Sequence, residues 1–246
     1  MIAGRPEPAA EVSGDKSYDA DYFARELHRD HWFRNNAAKR SRRWQQVLRM
    51  LEPNAGDRLL EIGCAAGLHT LKLAAQVREA IGIDRALAGI RVAQHAARKQ
   101  GIDNAAFAVC DASRLSFADA TFDKVAAIDF VEHVDDPTLV AVLVEVARVL
   151  APGGRLAIYT PCATHYVEWM KARDIVLKQI EGHVAVRAPA AYDALLRRAG
   201  LAVQAQWTLP SDYPLFSTVD RVLMALPGIG RWFRFRICIV AERAPG

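Results

Sequence analysis

The feature that most constrains the fold of this chain is an alternation of short apolar runs with helical patterns between residues 58 and 202. Each run has the length of a strand, and each stretch between runs suits a crossover helix. Such alternation predicts right-handed βαβ units in a parallel sheet that is covered on both faces. The predicted strands are Arg58–Ile62, Glu79–Ile83, Ala105–Val109, Lys124–Ile128 and Arg155–Tyr159. The predicted helices are Thr70–Val77, Ala86–Gln100, Thr138–Leu150 and Ala190–Ala199.

The flanking segments complete the expected domain. Two more strands are predicted near Leu201–Thr208 and Phe233–Glu242, which brings the sheet to seven strands. Residues 18–52 have aromatic and aliphatic side chains at helical spacing and predict one or two helices. Residues 1–17 lack an apolar core and are expected to form a disordered tail. We therefore expect one domain over residues 18–246.

Composition sets broad limits on function. The 246 residues carry 32 Lys and Arg against 28 Asp and Glu, a net charge of +4 that is too mild to predict a nucleic-acid partner. Four widely spaced cysteines predict neither a disulfide framework nor a zinc site and favour the cytoplasm. No apolar run approaches the ~20 residues of a membrane span, although peripheral contact with a membrane stays open. Basic residues concentrate at 25–49 and 221–243, around an acidic middle.

The segment from Leu59 to Thr70 passes from an apolar strand through small residues directly into a helix. In an open α/β sheet this tip is a ligand-binding position, because the N–H groups of the helix start point towards it. Gly63 and Gly67 are expected to permit a sharp turn and the close approach of a ligand.

Acidic side chains end the next three predicted strands. Asp84 is placed to accept hydrogen bonds from the hydroxyls of a ribose, and Asp111 from the amino group of an adenine. Asp129 ends the fourth strand, and a Pro152-Gly153-Gly154 turn is predicted before the fifth. This succession of polar strand tips indicates a cofactor that contains adenosine.

With these residues the chain resembles the class I S-adenosylmethionine-dependent methyltransferases, in particular the branch that modifies small molecules. The resemblance covers roughly residues 58–202. It implies an α/β fold with a Rossmann-like, doubly wound, seven-stranded sheet. That sheet is expected to be mostly parallel, with an antiparallel last strand, helices on both faces and an N-terminal helical lid over residues 18–52. It also implies S-adenosylmethionine as the cofactor, a small-molecule acceptor and no metal.

The resemblance assigns the cofactor site as well. It implies that the loop from Glu61 to Gly67 holds the methionine end, that Asp84 binds the ribose and that Asp111 and Ala112 contact the adenine. The family usually has glycine where Ala65 stands, and we expect alanine to fit there with a negative φ. The full predicted set is Glu61, Gly63, Cys64, Ala65, Gly67, Asp84, Arg85, Asp111, Ala112 and Asp129.

A nicotinamide-dependent dehydrogenase is the competing reading of the glycine loop. Its G-x-G-x-x-G fingerprint requires three glycines, whereas this loop has Gly63 and Gly67 alone. The ribose-binding acid is common to both families. Asp111 and the Pro152-Gly153-Gly154 turn favour the methyltransferase.

Methyl transfer from a sulfonium needs mainly orientation and the exclusion of water. A general base is required where the acceptor is a hydroxyl or ammonium group that loses a proton. The resemblance favours His183 and His133 as catalytic residues, with the organisation of a turn as the alternative role for His133. His165 follows the fifth strand and is either a substrate contact or the start of a helix.

The acceptor is expected to be a hydrophobic or amphiphilic small molecule, such as a natural product, that is methylated at oxygen, nitrogen or carbon. Trp32 and Phe33 lie on the predicted lid, and residues 209–231 form an apolar insertion that relatives use for the acceptor pocket. Packing of an amphipathic helix is the simpler explanation for the two lid aromatics. The predicted substrate contacts are Trp32, Phe33, His165, Tyr166 and Tyr213.

Two other functions stay open at this stage. A protein of this fold can bind the cofactor or a partner without catalysis, and an RNA methyltransferase would show a steep salt dependence of RNA affinity. The oligomeric state is not predicted.

Overall fold

The computed structural model describes residues 37–175, 183–211 and 214–243. The predicted tail and three predicted substrate contacts, Trp32, Phe33 and Tyr213, lie outside the described residues.

Seven strands form a single sheet. They are β1 (Arg58–Ile62), β2 (Glu79–Asp84), β3 (Ala105–Val109), β4 (Phe122–Ile128), β5 (Leu150–Pro161), β6 (Leu201–Leu209) and β7 (Arg236–Arg243). Their order across the sheet is β3-β2-β1-β4-β5-β7-β6. Strands β1 to β5 pair in parallel, and β7 runs antiparallel between β5 and β6. This topology confirms the predicted fold class.

Helices cover both faces of the sheet. They are α1 (Ala37–Leu51), α2 (Leu68–Ala74), α3 (Leu87–Gln100), α4 (Asp136–Val149), α5 (Tyr166–Lys171), α6 (Pro189–Arg198) and α7 (Pro214–Met224), with 3-10 turns at Val131–His133 and Gly230–Phe233. Leu59 joins the apolar cluster under α1 and α2, whereas its neighbour Leu60 joins the one under α4 and α6. A strand whose successive side chains all enter a core is expected in a parallel sheet with helices on both sides.

Helix α1 is part of the sheet's cover. Its side chains Val47, Met50 and Leu51 are buried in the apolar cluster on one face of the sheet. The Trp207 indole N–H donates to Gln46 Oε1 over 3.1 Å and ties α1 to β6. The second half of the predicted lid is therefore a packed helix, and the first half lies outside the described residues.

The predicted turn before the fifth strand is instead a bulge within β5. Phe122 pairs with Leu150 and Lys124 pairs with Arg155, so residues 151–154 loop out between two ladder positions. Gly153 has a φ of 74°, which favours glycine at this point of the bulge.

The insertion between β6 and β7 contains α7 and the second 3-10 turn. Among the described residues, no helix combines the length and the apolar character needed to cross a bilayer.

Candidate active site

The loop between β1 and α2 contains three residues with positive φ, at Gly63 (70°), Ala65 (48°) and Gly67 (78°). Both glycines also pack closely against the protein. A Cβ on Gly63 would lie 2.6 Å from the Phe130 ring, and one on Gly67 would lie 2.7 Å from Phe107. The expected sharp turn is present. Glycine is required at both positions because neighbouring side chains of the protein leave no room for a Cβ.

Ala65 contradicts the expected backbone conformation. We predicted a negative φ, and the observed 48° places this alanine in the left-handed region. Its N–H donates to Asp84 Oδ2 over 2.9 Å, which helps to hold the strained residue in place. The methyl group is exposed at the strand tip.

Asp84 lies beside this loop at the end of β2. Its Oδ1 accepts from the Ala86 N–H over 2.8 Å and its Oδ2 from Ala65, so each oxygen keeps a lone pair for a ligand hydroxyl. Burial raises the pKa of this carboxyl against the opposing effect of these N–H groups. The neighbouring Arg85 is exposed. Cys64 points its buried thiol into the apolar cluster under α3, and burial raises the pKa of that thiol.

Asp111 lies at the next tip, after β3. Its Oδ1 accepts from both the N–H and the hydroxyl of Ser113, at 2.9 and 2.7 Å. Burial opposes ionisation, but these hydrogen bonds and the charges of Arg85 and Arg114 lower the pKa of Asp111. Ala112 is buried in the core directly behind it.

Glu61 lies one residue before the end of β1 and is fully buried. Its carboxylate accepts from the Thr70 hydroxyl, and His69 Nδ1 lies 3.4 Å from its other oxygen. These contacts fasten the first turn of α2 to β1. Glu61 therefore shapes the loop through which the predicted methionine end would bind.

Asp129, at the tip of β4, is held between two arginines that the sequence did not predict as site residues. Arg236 Nη1 donates to Oδ1 over 2.7 Å, and Arg43 of α1 donates to Oδ2. Burial opposes ionisation, but the charges of Arg236, Arg43 and His69 lower the pKa of Asp129 to about 2. Both arginines also lie over the Tyr159 ring, at 5.2 and 5.3 Å from its centroid. Arg43 and Arg236 therefore neutralise the Asp129 carboxylate, and the three side chains together carry a net positive charge.

The two predicted catalytic histidines are neighbours. The rings of His133 and His183 meet edge to face with centroids 5.0 Å apart. The fold brings them together through the Glu132 carbonyl oxygen, which accepts from the N–H groups of Val184 at 2.9 Å and Ala185 at 3.0 Å. Backbone hydrogen bonds therefore join the segment before α6 to the 3-10 turn after β4.

Arg187 clamps the same two segments and is a third arginine that sequence reasoning missed. Its buried guanidinium donates to the carbonyl oxygens of Val131, Val134 and Ala185 over 2.7, 2.7 and 2.9 Å, and to Asp136 over 2.7 Å. A planar guanidinium can satisfy several acceptors in fixed directions. Arg187 therefore fixes the position of His183 relative to His133.

Burial has opposite effects on the two ionisable groups beside His133. It lowers the pKa of His183 to about 4, and the proximity of His133 lowers it further. It raises the pKa of Glu132 to about 8, helped by the charge of Asp129. Near neutral pH His183 is an uncharged imidazole and Glu132 is a neutral acid, to which the Thr160 hydroxyl is hydrogen-bonded over 3.0 Å.

Potential metal-binding atoms of Glu132, His133 and His183 lie within 4.8 Å of one another. The prediction that the reaction needs no metal stays a prediction.

The remaining predicted substrate contacts lie at the carboxyl end of β5. His165 is fully buried, begins α5 and accepts the Val167 N–H at Nδ1 over 3.2 Å. Its Nε2 lies 3.6 Å from the buried Asp220 of α7, so the geometry favours a structural role. Tyr166 is half-buried, and its ring lies 5.7 Å from that of Phe233.

Long-range pairing explains why sequence reasoning missed these arginines. Arg43 and Arg236 lie 86 and 107 residues from Asp129, and Arg187 lies 56 residues from Val131. The basic clusters noted at 25–49 and 221–243 include two of the three, which was the one available signal.

The side chains at the strand tips and beside Asp129 have hydrogen-bonding groups that suit S-adenosylmethionine. Asp84 has unused acceptor capacity for ribose hydroxyls. The buried Arg43 Nε has no hydrogen-bond partner among the described residues and is the type of donor that a methionine carboxylate needs.

Comparison with known proteins also indicates a methyltransferase. A family model described as a methyltransferase domain matches residues 53–200. The chain is 32% identical over 213 residues to 27-O-demethylrifamycin SV methyltransferase of Amycolatopsis mediterranei, covering 80% of this chain and 78% of the relative.

Two solved structures share the fold. One is the YcgJ protein of Bacillus subtilis, with a TM-score of 0.64 and 22% identity over 82% of this chain and 98% of that one. The other is geranyl diphosphate methyltransferase in complex with S-adenosylmethionine, with a TM-score of 0.62 and 21% identity over 94% and 92%. With the family match, the sequence identity and the shared fold in agreement, this chain belongs to the class I S-adenosylmethionine-dependent methyltransferases.

Proposed function

We propose that this methyltransferase methylates a hydroxyl group on a hydrophobic small molecule, with His183 as the general base. The observation that carries the proposal is the buried Nδ1 atom of His183, which has no hydrogen-bond partner among the described residues. An uncharged imidazole nitrogen in this situation can accept the proton that a hydroxyl releases as it is methylated.

The surroundings of His183 keep it in the unprotonated form that this role needs. Its low pKa keeps the imidazole unprotonated at neutral pH, and the nearby charges of Glu168 and Asp129 favour the imidazolium that forms. Glu168 is paired with Lys171 over 2.7 Å on α5, and the Lys171 charge acts in the opposite direction on the pKa of His183. The bound cofactor supplies an electrophilic methyl group on a sulfonium.

Arg43, Asp84 and Asp111 are the proposed polar contacts of the cofactor, to its carboxylate, ribose and adenine respectively. The loop from Glu61 to Gly67 with Cys64 and Ala65, together with Arg85 and Ala112, borders the same site in the proposal. Asp129 acts by orienting Arg43.

The similarity to 27-O-demethylrifamycin SV methyltransferase supports methylation of an oxygen atom. The aromatic side chains after β5 and before β7 supply apolar surface for the acceptor, since Tyr166 and Phe233 are only half-buried. Tyr213, Trp32 and Phe33 belong to the proposed acceptor surface but lie outside the described residues.

The test is to supply S-adenosylmethionine with a deuterated methyl group and a panel of phenols and macrocyclic alcohols, and to detect labelled products by mass spectrometry. His183→Ala is expected to lower kcat about 100-fold without changing the Kd of the cofactor. His95→Ala, an exposed histidine on α3, is the matched control. The rate of the wild-type protein is expected to fall as the pH approaches 4, where His183 gains a proton.

Two outcomes would contradict the proposal, and a third would contradict the related prediction that no metal is needed. Full activity of His183→Ala would exclude it as the base. Cofactor binding without methyl transfer to any acceptor in the panel or in a cell extract would indicate a binding protein. A loss of activity on dialysis against a chelator, restored by a divalent cation, would contradict the prediction that no metal is needed.

A further inference from the structure

Helix α7 buries two polar side chains and exposes two valines, unlike an ordinary surface helix. Ser217 and Asp220 are buried, whereas Val219 and Val222 are 50% and 63% exposed. The buried Asp220 carboxylate accepts from the Ser211 N–H over 2.9 Å, and His165 Nε2 lies 3.6 Å from it. A helix on a water-facing surface normally buries its apolar side. The buried polar contacts therefore fix α7 with valines facing outwards.

The exposed apolar surface continues beyond the helix. Leu226, Ile229 and Trp232 are each more than 40% exposed, and the Gly230 N–H donates to the Leu226 carbonyl oxygen over 3.0 Å, which folds this segment back onto the end of α7. Trp232 lies 6.5 Å from the half-exposed Trp169 of α5. We call these residues the α7 surface: Val219, Val222, Leu226, Ile229, Trp232 and Trp169.

Between positions 217 and 235, the exposed charged side chains around the α7 surface are all positive, and Asp174 is exposed next to Arg173. Arg221 and Arg231 are exposed within it, and Arg173 lies 4.4 Å above the Trp169 ring. Asp220 is the sole acidic residue between positions 217 and 235, and it is buried. The exposed part of this segment therefore combines apolar side chains with arginines and has no compensating carboxylate.

We propose that the α7 surface docks on an anionic lipid membrane. Valine, leucine and isoleucine side chains would leave water for the acyl-chain boundary, and the arginines would meet anionic headgroups. Two tryptophans at the edge suit the boundary between headgroups and acyl chains, where one side of the ring is apolar and the N–H is wet. A second copy of the chain is a poorer occupant, because it would place like-charged arginines against each other.

The experiment is co-sedimentation of the full chain with vesicles of phosphatidylcholine alone and of phosphatidylcholine mixed with phosphatidylglycerol. We expect at least about tenfold stronger partitioning onto the anionic vesicles, and a loss of the difference in high salt. Val222→Asp is expected to reduce that partitioning about tenfold, because it places a carboxylate in the contact. Val144→Asp, which alters an exposed valine on α4, is the matched control and is expected to bind like the wild type.

The result is independent of methyl transfer, because binding is measured without an acceptor. Equal partitioning of the wild type and Val222→Asp would overturn the proposal, as would equal binding to both kinds of vesicle. A dimer in light scattering that Val222→Asp converts to a monomer, without vesicle binding, would assign the surface to self-association instead.

Discussion

Arg187 donates to the backbone carbonyl oxygen of Val131 over 2.7 Å and so joins the segment that carries His183 to the turn that carries His133. Four oxygen atoms depend on this one guanidinium. Arg187→Met is expected to lower the free energy of unfolding by about 3 kcal/mol, because buried carbonyl oxygens lose their donor. It should also lower kcat more than it raises the Kd of the cofactor. Urea denaturation and steady-state kinetics measure the two effects, and the exposed Arg197→Met on α6 is the control.

Arg43 tests the proposed contact with the methionine end of the cofactor. Arg43→Ala is expected to raise the Kd of S-adenosylmethionine about tenfold, because a guanidinium–carboxylate contact is lost. The Kd of 5′-methylthioadenosine, which has no carboxylate, should not change. Calorimetry measures both ligands, and Arg42→Ala changes the exposed neighbour on the same helix as a control. An equal rise in the Kd of both ligands would contradict a direct contact between Arg43 and the carboxylate of the cofactor.

Ala65 is strained by its φ of 48°. Ala65→Gly is expected to raise the free energy of unfolding by about 1 kcal/mol, since glycine adopts the left-handed region without a Cβ penalty. Ala66→Gly is the matched control and is expected to be neutral or destabilising, because Ala66 is not among the residues with positive φ. Thermal and urea denaturation compare the two variants. A destabilised Ala65→Gly would contradict the prediction of strain.

Glu132 makes stability depend on pH. Its pKa in the folded protein is about 8, against an ordinary 4.5, so between these values the folded protein keeps a proton that the unfolded chain has released. The free energy of unfolding should therefore fall as the pH rises through this range. Glu132→Gln should flatten that dependence and be more stable than the wild type by up to about 5 kcal/mol at the upper end.

Glu145 offers a control of opposite sign for the Glu132 measurement. Its hydrogen bonds with Arg148 lower the pKa of Glu145, so its contribution to stability is present above the unfolded-state pKa and is lost as the pH falls. Glu145→Gln should therefore reduce the stability near neutral pH. If the free energy of unfolding of Glu132→Gln kept the pH dependence of the wild type, this would contradict a raised pKa for Glu132.

Local patterns predicted the parallel half of the fold well. The bounds of β1 and β3 agree with the predicted ones, because apolar runs between helices are specified by neighbouring residues. The bulge in β5 was missed, because a Pro-Gly-Gly sequence is equally compatible with a turn and with an irregular strand. The φ of Ala65 was also missed, because it depends on a hydrogen bond to Asp84, 19 residues later.

The two histidines of the candidate site were predicted from the sequence, but the interactions that bring them together were not. Their proximity depends on backbone bonds between Glu132 and Val184, which no local periodicity encodes. The same applies to Asp129, which is predicted to line the cofactor pocket and whose bonds to two sequence-distant arginines were not predicted.

The position of β7 has a consequence for synthesis of the protein. Because β7 lies between β5 and β6, β6 has no partner in the sheet and β5 pairs with β4 alone until the ribosome has made the segment that follows both strands. Until then β5 is an open edge, and the chain is at its most vulnerable to wrong pairing. Arg236 arrives with that same strand, so insertion of β7 closes the sheet and supplies one of the two counter-charges of Asp129 in a single late event.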